Sequence, residues 1–166
     1  MNRKCAVLLL VAVAVVGVMV VGGCATHPVR LEHVALNVPE PEAMAKWYAE
    51  NLGMKIMREG PAPVSMRFIA DAGENMMLEL YHNPADEVPD YRSMGVRTLH
   101  IAFLVDDVAQ IRGGLLDAGA TMAEDVEVTD AGDEILILRD PWGIPIQFIK
   151  RAEPMLKPGR KMPFSD

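Results

Sequence analysis

Two stretches of this chain follow one pattern, and that repeat limits its fold more than any other feature. His33–Met54 reads HVALNVPEPEAMAKWYAENLGM, and His100–Thr121 reads HIAFLVDDVAQIRGGLLDAGAT. Both open with His, a β-branched residue, Ala and a bulky apolar residue. Both reach Val at the sixth place, pass through an acidic stretch that starts a helix, and run on to a Gly (Gly53, Gly119). A repeated segment is one supersecondary unit used twice, so the two halves are expected to fold alike.

Each half reads strand, helix, strand, strand, strand. Leu31–Val38 and Leu99–Val105 alternate with the period of a strand. Pro41–Leu52 carries Met44, Trp47, Tyr48 and Leu52 at helical spacing and is stopped by Gly53. Asp106–Ala118 carries Val108, Ile111 and Leu115, with Asp106 or Asp107 as N-cap and Gly119 as the stop. Strands are expected at Lys55–Arg58, Val64–Ala70 and Met76–Tyr81, and again at Met122–Val128, Glu134–Arg139 and Ile144–Lys150. Asp71–Asn75 (DAGEN) and Asp140–Gly143 (DPWG) hold the residues that tight turns need. The expected fold is α+β, built of two tandem βαβββ modules. The first module spans 31–83, a Pro- and Asp-rich linker spans 84–96, and the second module spans 97–151. The segment 152–166 has three prolines and no period, and reads as an irregular tail.

Alternation assigns faces. Val34, Leu36 and Val38 share one side of the first strand, and His33, Ala35 and Asn37 share the other. In the second copy Ile101, Phe103 and Val105 oppose His100 and Ala102. The closing strands repeat the logic: Glu79 opposes Leu78 and Leu80, and Gln147 opposes Ile146 and Phe148. Glu79 follows His33 by 46 residues and Gln147 follows His100 by 47. A lone strand histidine is most often a core residue. Two histidines at equivalent places, each matched to a polar residue on the closing strand, suit a ligand role better. A carboxylate on such a face is costly unless it is paired or binds a metal.

The pieces LEHVALNV, MLELYHNP, LHIAFLVDDV and LRDPWGIPIQFIK resemble the vicinal oxygen chelate superfamily. That group includes glyoxalases, bleomycin-resistance proteins and extradiol dioxygenases. The resemblance implies a curved, incompletely closed mixed β-barrel with helices outside. It implies one divalent metal ion (Zn, Mn, Fe, Co or Ni) held by His33, Glu79, His100 and Gln147. It implies a lyase or isomerase acting on a small chelating carbonyl or hydroxy acid through a metal-stabilised enediolate, with Glu79 as the base. Gln147 departs from the pattern, in which Glu is more usual. The exchange leaves a divalent site at net +1 and removes a second candidate base. Two other readings stay open: a ring-cleaving dioxygenase on ferrous iron, and a metal-free binding protein of the resistance type. The dioxygenase reading needs a further acid–base His, and alternation sets the spare His82 on the face opposite Glu79. Arg67, Tyr81 and Arg97 are further candidates for lining the pocket; each also reads as an ordinary strand-flanking residue. Modules of this kind pair within a chain or between chains, so a homodimer is one expected state.

Composition narrows the partners. The net charge is −7, and no basic stripe appears, which excludes a phosphate-backbone binder. The chain has two cysteines, Cys5 and Cys24. The repeat has none, so any metal there is held by His and oxygen ligands. Residues 1–23 pair Arg3 and Lys4 with the apolar run Ala6–Val21 and read as an export signal. VVGG before Cys24 resembles a bacterial lipoprotein signal, which implies a lipid on Cys24, a membrane tether over 24–30 and a place in the cell envelope facing the periplasm. An exported location argues against lactoylglutathione lyase itself, whose thiol substrate is mainly cytoplasmic.

Overall fold

The structure is a computed structural model, and it describes residues 29–155. The expected signal, the Cys24 lipid site, most of the tether, and the tail beyond 155 lie outside the described residues.

The elements come in the order β1 (His33–Asn37), α1 (Pro41–Leu52), β2 (Lys55–Glu59), β3 (Arg67–Ala70) and β4 (Met77–Tyr81). The second set follows as β5 (Ile101–Leu104), α2 (Val108–Asp117), β6 (Thr121–Val128), β7 (Glu134–Arg139) and β8 (Pro145–Lys150). They form two four-stranded mixed sheets, ordered β1-β4-β3-β2 and β5-β8-β7-β6. In each, the opening strand runs parallel to the closing strand and every other pair is antiparallel. The two sheets are not joined into a closed ring, and β1 and β5 are each an outer strand. This is the expected α+β fold of two βαβββ modules.

Local chemistry sets the helices. Pro41 stands in the first turn of α1, where a missing N–H costs nothing. Gly53 ends the helix in the left-handed region (φ 66°), and its N–H caps the Tyr48 carbonyl. Asp107 is the N-cap of α2, and its carboxylate accepts the Gln110 N–H at 2.9 Å.

The apolar sides of both modules share one core. Leu36, Val38, Met44, Tyr48, Leu78 and Leu80 from the first half join Val108, Leu115, Leu136, Leu138, Ile146 and Phe148 from the second. Three contacts seal the join. The Tyr48 hydroxyl donates to Asp140 Oδ2 at 2.9 Å, the Trp47 indole N–H donates to the Ala118 carbonyl at 2.8 Å, and Trp47 meets Trp142 edge-on. The linker is tied down as well: the Tyr91 hydroxyl donates to the Asn37 carbonyl, and the Arg139 guanidinium donates to the Tyr91 and Met94 carbonyls. With the apolar sides used in this way, the histidine sides of both sheets are left towards solvent. Ala35, His100 and Ala102 are exposed, and Leu104 is 76% exposed.

Candidate metal-binding half-sites

Register explains why the polar residues recur. Ala35 pairs with Glu79, and Ala102 pairs with Gln147. His33 and His100 stand two residues ahead of those alanines. Each histidine therefore sits on the same face as its closing-strand partner, one diagonal step away, and the small alanine leaves room between them.

The first half-site is assembled. His33 Nε2 lies 3.4 Å from Glu79 Oε2, with both side chains partly exposed. The other ring nitrogen, Nδ1, contacts the Glu32 carboxylate. Phe68, which pairs with Glu79 across β3, meets the His33 ring edge-on at 5.3 Å and fixes its plane. In the second half-site His100 Nδ1 is 3.1 Å from the Val96 carbonyl oxygen. Both rings thus turn Nδ1 to an oxygen acceptor. At His100 this leaves Nε2 without a partner among the described residues, the arrangement of a metal-ligating imidazole, while at His33 Nε2 faces Glu79 Oε2, so that imidazole and carboxylate converge. The donor set fits a divalent ion on this ground.

The two half-sites do not meet within the chain. Among the described residues no three His, Cys, Asp or Glu side chains come together as a metal-holding group. His100 therefore stands apart from His33 and Glu79.

The other candidates divide. Tyr81 lies on the Glu79 face of β4, next to Asn37 in register. Arg97 ion-pairs with Glu124 at 2.8 Å, and Glu124 lies across Ile137 from Gln147, at the rim of the second face. Arg67 goes elsewhere. It pairs with Leu80, on the helix side of the sheet. There it is 8% exposed, donates to the Gly60, Ser65 and Met66 carbonyls, and ion-pairs with Glu42 and Glu59. It holds a loop and does not line the polar face. His82 is also occupied, with Nδ1 on the Val38 carbonyl oxygen. Phe68 is a neighbour of the candidate pair that alternation alone did not single out; its cross-strand place beside Glu79 is the signal.

A cavity of about 430 Å³ lies on the His100 side of the second sheet, against Ala102, Leu104, Ile149, Arg151, Pro154 and Met155. It is mostly apolar.

Residues 30–148 match the family model described as the Glyoxalase/Bleomycin resistance protein/Dioxygenase superfamily. The chain belongs to this superfamily. Within it, the chain is 28% identical over 130 residues to a lactoylglutathione lyase of Salmonella typhimurium, covering 75% of this chain and 94% of that enzyme. Among solved structures it is similar to a glyoxalase family protein from Bacillus cereus (TM-score 0.67, 16% identity, 78% of this chain and 98% of that one). It is also similar to TnmS3, an antibiotic binding protein from a Streptomyces species (TM-score 0.61, 18% identity, 76% and 99%). At these identities the structural likenesses show the fold alone.

Proposed function

We propose that this superfamily member is a glyoxalase-like, divalent-metal-dependent lyase or isomerase for a small chelating carbonyl or hydroxy acid. The observation that carries the reading is the matched pair of half-sites. Both histidines turn Nδ1 to an oxygen, both stand at the same register step from an oxygen-bearing side chain, and His33 Nε2 already faces Glu79 Oε2. The lactoylglutathione lyases among its relatives support the reaction class.

His33, Glu79, His100 and Gln147 would hold the ion, which when bound polarises a substrate carbonyl as a Lewis acid. The chain's own part is the proton. Glu79 is the one carboxylate of the set, so it takes the proton beside the carbonyl and returns it to the neighbouring carbon. Gln147 has no proton to give or take and serves only to bind. Phe68 meets the His33 ring edge-on from its place across from Glu79.

The two halves are completed between two copies of the chain. The His33 face of one packs against the His100 face of the other, which also covers the open edges of β1 and β5. A symmetric dimer then has two sites. A second reading, a metal-free binding protein, draws support from the apolar cavity beside Ala102 and Leu104 and from the fold shared with an antibiotic binding protein. Ring cleavage draws less, because His82 follows Tyr81 at the end of β4 and alternation sets it on the face opposite Glu79.

Metal analysis separates these readings. Purified protein dialysed against Zn, Ni, Mn, Co or ferrous iron is expected to retain one ion per chain. His33→Ala and Glu79→Gln should each weaken retention by roughly ten-fold or more, in line with the loss of a direct ligand. Wild-type protein that binds none of these ions contradicts the proposal and favours the binding protein. Oxygen uptake with catechols in the iron-loaded form would instead favour ring cleavage.

A further inference from the structure

Strand β2 contains a bulge. Ile56 pairs with Ile69, yet the next pair is Arg58 with Phe68, so Met57 is an extra residue. Simple alternation would set Arg58 on the side of Ile56, towards the helix. The bulge reverses that. Arg58 shares the face of Phe68, and Phe68 pairs with Glu79, which pairs with Ala35. One row therefore crosses the sheet: Ala35, Glu79, Phe68, Arg58.

The second module has its bulge at the same place. Met122 pairs with Leu138 and Glu124 with Ile137, leaving Ala123 extra. The matching row is Ala102, Gln147, Ile137, Glu124. Bulges near functional faces re-aim a side chain, and their recurrence in both modules marks this one as part of the repeat. The two re-aimed residues differ in sign and in company. Glu124 is neutralised by Arg97 at 2.8 Å. Arg58 is exposed and its guanidinium has no hydrogen bond or ion pair among the described residues. The acid next to it in the chain, Glu59, is engaged elsewhere, with Arg67. An unpaired cation beside a polar face stands out in a chain of net charge −7, which otherwise repels anions.

We propose that Arg58 anchors an anionic oxygen group, carboxylate or phosphate, at the far end of the substrate. The proposal rests on the reading of His33 and Glu79 as metal ligands and adds the substrate's shape to it. Two strand spacings, about 9–10 Å, separate the Arg58 and Glu79 backbones. The substrate class is a molecule with a chelating head at Glu79, an apolar middle lying over Phe68, and an oxyanion received by the planar guanidinium fork.

Two probes test this on the zinc-loaded full chain: suberic monohydroxamate, a chelating head with a terminal carboxylate, and its methyl ester. Calorimetry on wild type should give roughly ten-fold or more tighter binding of the acid than of the ester. Arg58→Gln should erase that preference, and Arg58→Lys should keep only part of it. Ester affinity, zinc content and thermal stability should not move in either variant, since Arg58 is exposed on an outer strand. Equal binding of acid and ester by zinc-loaded wild type, or a preference that survives Arg58→Gln, overturns the Arg58 assignment alone. Wild type that holds no zinc and binds neither probe overturns the ligand reading along with it.

Discussion

Asp140 is the carboxylate that folding treats most harshly. It is 1% exposed in the turn before β8. Burial drives its pKa from 3.8 up to about 6, against the pull of hydrogen bonds from the Ile144 and Trp142 N–H groups and the Tyr48 hydroxyl. Tyr48 is pushed well above its usual range, first by burial and then by the Asp140 charge beside it. Because the folded-state value of Asp140 lies above the unfolded one, the native state holds this proton more tightly. The resulting stability is full below about pH 4 and is lost as pH rises through about 6. At about 1.4 kcal/mol per pKa unit the loss is up to about 3 kcal/mol. Urea unfolding of wild type and Asp140→Asn from pH 4 to pH 7 should show the difference shifting in the variant's favour by up to that amount. A difference that stays constant across this range contradicts the account. At this scale the matched register of His33 with Glu79 and of His100 with Gln147 was readable from the repeat. Arg67 was not, because its charge suggests a substrate group while its place opposite Leu80 turns it to loop carbonyls on the helix side. Asp140 read as a plain turn residue, since its burial comes from α1 of the other module.

Among the elements, those with strong end signals match the reading. Pro41 and Gly53 bound α1, and β7 spans Glu134–Arg139 as the alternation implies. The strand expected from Val64 begins only at Arg67. Ser65 takes a left-handed backbone (φ 47°), and the Val64 carbonyl accepts the His82 N–H instead of a strand partner. The bulges in β2 and β6 were hidden for a different reason: one extra residue inverts alternation without altering composition. The turn before β8 gives a sharp test. Gly143 has φ 96°, and a Cβ there would lie 2.4 Å from Arg92 Cγ and 3.0 Å from Arg92 Cα. Gly143→Ala should cost roughly 2 kcal/mol or more. Gly113, inside α2, is the opposite case, with open space where a Cβ would stand. Gly113→Ala should stabilise by about 0.5–1 kcal/mol. Denaturant midpoints of the two variants should move in opposite directions; a shift of the same sign contradicts the assignment of these backbones.

For the whole molecule, the repeat foretold two like modules but not which faces they would share. The apolar sides merge into one core, so each polar face keeps half of the proposed ligand set and an open strand edge. The reading proposed above is that two chains bring those halves together. The most direct test uses two variants at once. His33→Ala and His100→Ala chains carrying different tags are coexpressed, the mixed dimer is isolated through both tags, and its bound metal is measured. In the mixed dimer one site joins the intact first module of one chain to the intact second module of the other, while the opposite site lacks both histidines. The account predicts about one ion per mixed dimer and little in either parent. A mixed dimer as empty as its parents, or parents that keep their metal, contradicts it.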